Sequence, residues 1–297
     1  MAIEALALGA SFLTGVSSVL ITPVAKGGKA VRLMVVRSAF AALFVSASLL
    51  ILPQTTAFGL VTLRDVSLVF LISGPAFSAG ALVYYRGIRS IGLARAYPMV
   101  NIYPLFSILF AVLLLGERPH WQVIVGTAII VAGACLVARS GEESQTGASA
   151  PPGTSTYKWM ALLVVASLLF SVSTTANKVA LTGGLSPMLV NLARSLCALL
   201  LGTAMAMADG GGLSLGTLPR SFWGRIAASS LVADLVGHYI YFLAMQRGQV
   251  STVVPLAATT PLFVIPLAHF VLKESVTWRT VVGTLLTVAG VVLVVIS

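Results

Sequence analysis

Three residues of one apolar segment, Asp234, His238 and Tyr241, are spaced four and three apart. At helical periodicity they share one face. A carboxylate, an imidazole and a phenol aligned in this way can bind an ammonium group or relay a proton. Ionisable groups at membrane depth cost about 3 kcal/mol each and usually turn toward the protein interior or a wet cavity. The competing assignment pairs Asp234 with Arg194 of the preceding apolar segment as a buried ion pair, and the two readings are compatible.

A second set of polar groups stands among prolines. Asn101 lies in the run Tyr97-Pro98-Met99-Val100-Asn101-Ile102-Tyr103-Pro104, and Thr259 and Thr260 lie between Pro255 and Pro261, with Pro266 beyond. Proline removes a helical N–H and leaves a carbonyl unpaired, while a carboxamide in apolar surroundings must find a partner. Ser78, Tyr84, Tyr85 and Tyr97 lie nearby in sequence; Tyr85 and Tyr97 read as interface anchors. Hydroxyls crowd two further segments, from Ser11 to Thr22 and from Ser167 to Asn177. Many will bond their own helix carbonyls, but their recurrence suggests a polar seam. The candidate binding residues are therefore His238, Asn101, Tyr84, Tyr241, Asp234, Ser78, Tyr103, Thr259, Thr260 and Asn177.

Catalytic chemistry has little support. Paired carboxylates are missing at depth, no nucleophile stands beside a base, and His120, His238 and His269 are isolated. Cys135 and Cys197 sit singly in apolar runs, so neither a disulfide nor a metal site is expected. With no phosphate-binding glycine loop, ATP drive is unexpected too. The chain reads as a non-enzyme without cofactor or metal.

The elements that must position these groups follow from composition. Of 297 residues, 58% are hydrophobic and 9% charged, with a mean hydropathy of +1.02. Soluble domains carry about 25% charged residues, so lipid must be the solvent. A net charge of +10 could suggest nucleic acid, but the cations stand singly between apolar runs, as topological charge facing anionic lipid does. Windows of roughly 20 apolar residues predict ten membrane helices: 3–24, 31–52, 66–86, 93–115, 119–138, 158–180, 187–207, 223–246, 250–272 and 277–296. A polar stretch rich in Ser, Gly, Pro and Thr, 139–157, reads as a flexible linker between a first unit, 1–138, and a second, 158–297.

The second unit repeats the first at a step of 157. Pro98, Pro104, Phe106, Glu117, Trp121, Gly126 and Gly133 recur as Pro255, Pro261, Phe263, Glu274, Trp278, Gly283 and Gly290. Upstream, Arg37 maps to Arg194 and Tyr84 to Tyr241. Five helices per unit is an odd number, so the second unit must insert from the opposite side: an inverted repeat, whose binding site lies where the halves meet. Recurrence in both halves favours structural work for Arg37 and Arg194, either holding carbonyls at broken helix ends or pairing with an acid, over direct substrate binding. Glu117 and Glu274 open equivalent helices and read as caps on the positive end of the helix dipole. The glycines, seven apart, mark a close helix–helix seam. Twelve of the 18 Lys and Arg fall in gaps on the side opposite the termini and four on the terminal side, which places both termini outside the cytoplasm.

With Leu115-Gly116-Glu117 and Leu272-Lys273-Glu274, each followed by Trp four positions on, then Gly-Thr and Ala-Gly, the chain resembles the EamA-type drug/metabolite transporters over nearly its whole length. The resemblance implies a basket of helices around a central cavity, the fifth and tenth standing away from the substrate path, and a secondary transporter of the bacterial inner membrane. It also implies export of amino acids, other metabolites or drugs. One departure is that Glu4 lies at the very start of the first helix, so a proton-coupling carboxylate like that of the four-helix multidrug exporters has no match there. The mixed polar and aromatic residues suit amino acids, aromatic ones among them, moved by alternating access, with proton coupling and oligomeric state open. An importer or antiporter of phosphorylated or nucleotide-linked metabolites would need paired cations, which Arg86, Arg89 and Arg95 could supply only by facing inward. A passive channel is the alternative of another class.

Overall fold

The computed structural model describes residues 2–27, 30–51, 62–91, 96, 99–143, 154–208, 219–267, 270 and 278–297, and every regular element among them is helical. Helices α1 (Ala2–Gly27) and α2 (Ala30–Ile51) open the chain. Helix α3 (Leu63–Ser67) starts at Thr62, whose hydroxyl oxygen accepts the Asp65 N–H at 3.2 Å and donates to Asp65 Oδ2 at 2.6 Å. That reciprocal bond satisfies a backbone donor that a helix start leaves bare. It runs through a π-helical segment, Leu68–Ser73, into α4 (Gly74–Ile91). Helix α5 (Tyr103–Leu115) carries Pro104 in its first turn, where the missing N–H costs nothing. It stops at Gly116, whose φ of 69° is left-handed and suits glycine.

There follow α6 (Trp121–Glu143), α7 (Thr154–Thr182) and α8 (Pro187–Ala208). Helix α9 (Arg220–Ser229) continues through a second π-helical segment, Ser230–Gly237, into α10 (His238–Arg247). Helices α11 (Val250–Ala257), α12 (Thr260–Leu267) and α13 (Trp278–Val295) complete the chain. Helices α6 and α7 reach several residues into the stretch expected as linker, because polar residues alone do not end a helix.

Seven stretches among the described residues are long and apolar enough to cross a membrane: Ala2–Ile21, Val31–Ile51, Leu63–Tyr84, Tyr157–Thr182, Pro187–Ala208, Ser221–Arg247 and Trp278–Val295. Tyr103–Leu115, Trp121–Leu136 and Val250–Val264 are apolar but shorter than the ten-helix expectation requires. For two of them the cause is local, since the chain turns at residues 101–102 and 258–259, beside the prolines.

The step of 157 is visible in the backbone. Helix starts at residues 30, 63, 103 and 121 recur at 187, 220, 260 and 278, and the turn at 101–102 recurs at 258–259. Step-mates also pack on each other, α2 against α8 and α6 against α13. The second contact is backbone to backbone. A Cβ on Gly126 would lie 2.8 Å from the Gly290 carbonyl oxygen, and one on Gly133 would lie 2.6 Å from that of Gly283. Numbers rise on α6 as they fall on α13, so the two helices are antiparallel. Each glycine meets the step-mate of the other, as in a contact around a two-fold axis.

Phe242, Met245, Val250, Val254 and Leu256 are fully buried in the main apolar cluster. Leu113 and Leu114 of α5, Leu200 of α8 and Leu285 of α13 are exposed. An apolar outside around helices that satisfy their own backbone is what a lipid solvent demands.

Candidate functional site

Between the helices lies a cavity of about 380 Å³. Ser11, Thr14 and Ser18 of α1 and Ser173, Thr174 and Asn177 of α7 form two of its polar walls. Two of these hydroxyls bond within their own helix: Thr14 Oγ1 donates to the Ala10 carbonyl and Ser18 Oγ to that of Thr14, both at 2.8 Å.

The two chain breaks supply the next walls, Asn101 and Tyr103 from one and Ala258 and Thr260 from the other. Pro261 has no N–H for the Ala257 carbonyl, and Thr260 Oγ1 donates to that oxygen instead, at 3.2 Å. Thr259 Oγ1 donates to the Leu256 carbonyl at 2.6 Å. Ser11 Oγ bridges to both threonine hydroxyls, at 3.2 and 3.3 Å, and ties this break to α1. At the other break, Ser171 Oγ donates to the Tyr103 carbonyl at 2.8 Å. Aromatic surface comes from Phe77, Tyr103, Phe170 and Tyr241, with Phe170 5.5 Å from Phe77 and 6.4 Å, edge-on, from Tyr103.

The charged groups depart from expectation. Asp234 binds Arg37, not Arg194: Arg37 Nε donates to Oδ2 at 2.7 Å and Nη2 to Oδ1 at 3.0 Å. Arg37 Nη2 also donates to Ser17 Oγ at 3.3 Å. Asp234 does not line the cavity with His238 and Tyr241; both of its carboxylate oxygens are taken up by Arg37. His238 Nδ1 stays 3.5 Å from Asp234 Oδ1. Asn191 Nδ2 donates to the Asp234 backbone carbonyl at 2.5 Å.

Arg194 lines the cavity although only 8% exposed. Its guanidinium stands over Phe77 at 4.5 Å and Phe242 at 5.3 Å. Among the described residues it makes no hydrogen bond and no ion pair.

Of the ten candidate binding residues, His238, Asn101, Tyr241, Tyr103, Thr260 and Asn177 line this cavity. Thr259 is fully buried behind Thr260. Ser78 is buried off the lining, its Oγ without a partner, and Tyr84 packs on the cluster of Ile91 and Leu163. Arg86 is exposed, while the side chains of Arg89, Arg95, Tyr85 and Tyr97 lie outside the described residues, as does Glu274. Two lining polar atoms have no hydrogen-bond partner among the described residues, Asn101 Nδ2 and His238 Nδ1. Sequence reasoning passed over Phe77, Phe170 and Asn191. The signal for Phe77 was available, because it is the step-mate of Asp234.

Glu117 is a cap, though for a different helix from the one expected. It accepts the N–H groups of Val250 and Ser251 at 2.7 and 2.9 Å and the Ser251 hydroxyl at 2.6 Å, at the start of α11. Lys178 Nζ donates to the Met245 and Gly248 carbonyls, both at 2.7 Å, at the end of α10. A carboxylate at a helix N-terminus and an ammonium at a C-terminus both oppose the local dipole, so the α10–α11 turn is clamped from both sides. A second, more open cavity of about 560 Å³ adjoins this clamp.

Neither α6 nor α13 contributes to the lining of the central cavity. The described residues hold no group of three His, Cys, Asp or Glu that could bind a metal.

A family model described as the EamA-like transporter family matches residues 1–139 and 157–296. A protein of Streptantibioticus cattleyicolor named a probable terminal-alkyne amino-acid exporter is 31% identical over 87 residues, 29% of this chain and 29% of that one. The chain thus aligns with under a third of that relative's length. A protein of Archaeoglobus fulgidus named an uncharacterized transporter is 23% identical over 236 residues, 79% of this chain and 78% of that one. A solved crystal structure shares the fold with a TM-score of 0.82, at 15% identity, over 99% of this chain and 96% of that one.

Proposed function

The chain belongs to the EamA-like transporter family and is a multi-pass integral membrane protein, and from that premise we propose that it is a secondary carrier exporting amino acids, aromatic ones included, by alternating access. Ten membrane helices form two inverted five-helix units, 1–138 and 158–297, in a bacterial-type inner membrane with both termini on the non-cytoplasmic side. The observation that carries this reading is the central cavity, walled by both units at equivalent helix breaks, 101–102 and 258–259. Broken helices at matching places in two repeats are where such carriers bind cargo. The reciprocal glycine contacts of antiparallel α6 and α13 support the inversion.

Size and chemistry support the substrate class. At about 380 Å³ the cavity is near the low end of the roughly 300–1,000 Å³ of small-molecule sites. It combines rings, hydroxyls, two carboxamides and one guanidinium, a set suited to a zwitterion with an apolar side chain. A phosphorylated metabolite would want paired cations, and the described lining offers Arg194 alone as a fixed charge. The amino-acid exporter named among the relatives supports the direction.

Reconstituted protein tests the reading by counterflow. Vesicles preloaded with an unlabelled amino acid accelerate uptake of the labelled one, a panel identifies the substrate, and an imposed pH gradient reads proton coupling. Uptake indifferent to preloading makes the protein a channel.

A further inference from the structure

The two halves are unequal at one pair of positions. Arg37 and Arg194 are step-mates, and so are Asp234 and Phe77. Arg37 from α2 reaches Asp234 in the other half and binds it through two hydrogen bonds. Arg194 from α8 reaches Phe77 in the other half, at 4.5 Å. The backbone arrangement is thus reproduced, but where the repeat would present a carboxylate to Arg194 it presents a ring.

A guanidinium over an aromatic face gains about 0.5–2 kcal/mol, and the Arg194 N–H donors find no partner among the described residues. A cation buried without an anion is a strongly unfavourable arrangement. Asp234 attracts Arg194 without pairing with it, because both of its carboxylate oxygens are held by Arg37. No acidic side chain lines the cavity among the described residues. The cavity therefore holds one fixed positive charge with its anion missing.

We propose that the anion is the cargo: Arg194 takes the substrate's carboxylate, filling the place that Asp234 occupies for Arg37. This deepens the proposed function and rests on it. The planar fork of guanidinium donors matches a carboxylate bidentately, and Phe77 and Phe170 flank the spot for the substrate's apolar part. One cation selects a monoanionic group over a phosphate dianion. Arg194 is thus a substrate-binding and specificity-determining residue, while its step-mate Arg37 is structural.

Counterflow in proteoliposomes tests this with each amino acid the wild type exchanges, beside its carboxamide and its decarboxylated amine. The acid form exchanges and the other two do not. Arg194→Gln lowers uptake at sub-saturating substrate at least tenfold, and Arg194→Lys recovers part of it. Phe77→Asp supplies the missing acid from within: it loses uptake as severely as Arg194→Gln, yet its thermal unfolding in detergent is no lower than wild type. Phe77→Leu, which adds no charge, loses less. Equal exchange of acid, amide and amine, or full uptake by Arg194→Gln or Phe77→Asp, overturns the inference and leaves the amino-acid carrier standing. If Arg194→Gln fails to fold, Arg194→Lys and Phe77→Asp decide. If the wild type exchanges no amino acid, the amino-acid reading falls. The inference is then read from thermal stabilisation by benzoate and phenylacetate, upheld if they protect the wild type but not Phe77→Asp and overturned if they protect neither.

Discussion

Arg37 grips both carboxylate oxygens of Asp234, at 2.7 and 3.0 Å, across the contact between α2 and the π-helical segment ahead of α10. The pair joins the first half of the chain to the second, one helical turn from His238 in the cavity wall. Removing one member of a buried pair strands the other, at roughly 3–5 kcal/mol when burial is complete. The Arg37 side chain keeps 26% exposure, which softens the loss. Asp234→Asn is expected to destabilise the protein by about 2 kcal/mol, seen as a lowered midpoint of thermal unfolding in detergent. Arg37→Met with Asp234→Leu restores most of it. A double-mutant cycle that returns additive losses contradicts the assignment.

Glu117 and Lys178 act on backbone, so their loss is read best at backbone. Glu117→Ala leaves the Val250 and Ser251 amides without their acceptor, at about 1 kcal/mol for a lost cap. Hydrogen exchange measured by mass spectrometry should quicken in the peptide covering 248–254 and stay unchanged in α6. Lys178→Met frees the Met245 and Gly248 carbonyls and gives the same local signature.

What could be read from the residues was periodic, and what could not was relational. The glycine spacing marks a seam without saying which glycine meets which. Arithmetic at a step of 157 anticipates that helix starts match between the halves and that breaks fall beside Pro104 and Pro261, because each depends on residues close in the chain. It does not say which of two arginines reaches Asp234, since that depends on how two distant helices pack. The π-helical Ser230–Gly237 was equally hidden, since nothing in its residue types distinguishes it from α-helix. Glu117 reads as a cap, but the helix it caps lies 133 residues further on.

The α6–α13 seam leaves no room for a methyl group. A Cβ on Gly133 would lie 2.6 Å from the Gly283 carbonyl oxygen and 2.8 Å from the Thr287 nitrogen, and backbone cannot swing aside as a side chain can. Gly133→Ala and Gly290→Ala are expected to cost about 1–3 kcal/mol each through overpacking. Gly9→Ala in α1 is the control, because a Cβ there meets nothing within 4 Å, and it should be neutral or gain about 0.5 kcal/mol from helix propensity. Thermal unfolding of the three variants in detergent separates seam from propensity. Similar midpoints for all three contradict the close contact.

Asn101 separates stability from transport most cleanly. It is only 7% exposed, it lines the cavity at the first chain break, and its Nδ2 finds no partner among the described residues. A buried donor left unpaired costs about 1–3 kcal/mol, so Asn101 is a poor choice for the fold. Asn101→Leu should therefore unfold at the wild-type temperature or above it. Its counterflow should fall at least tenfold, because the carboxamide is then no longer available to a cargo's polar group. A structural carboxamide predicts the reverse, with stability lost and exchange preserved in whatever protein remains folded. Purified Asn101→Leu, measured for unfolding and counterflow in one preparation, distinguishes the two, and early unfolding with normal exchange removes Asn101 from the site.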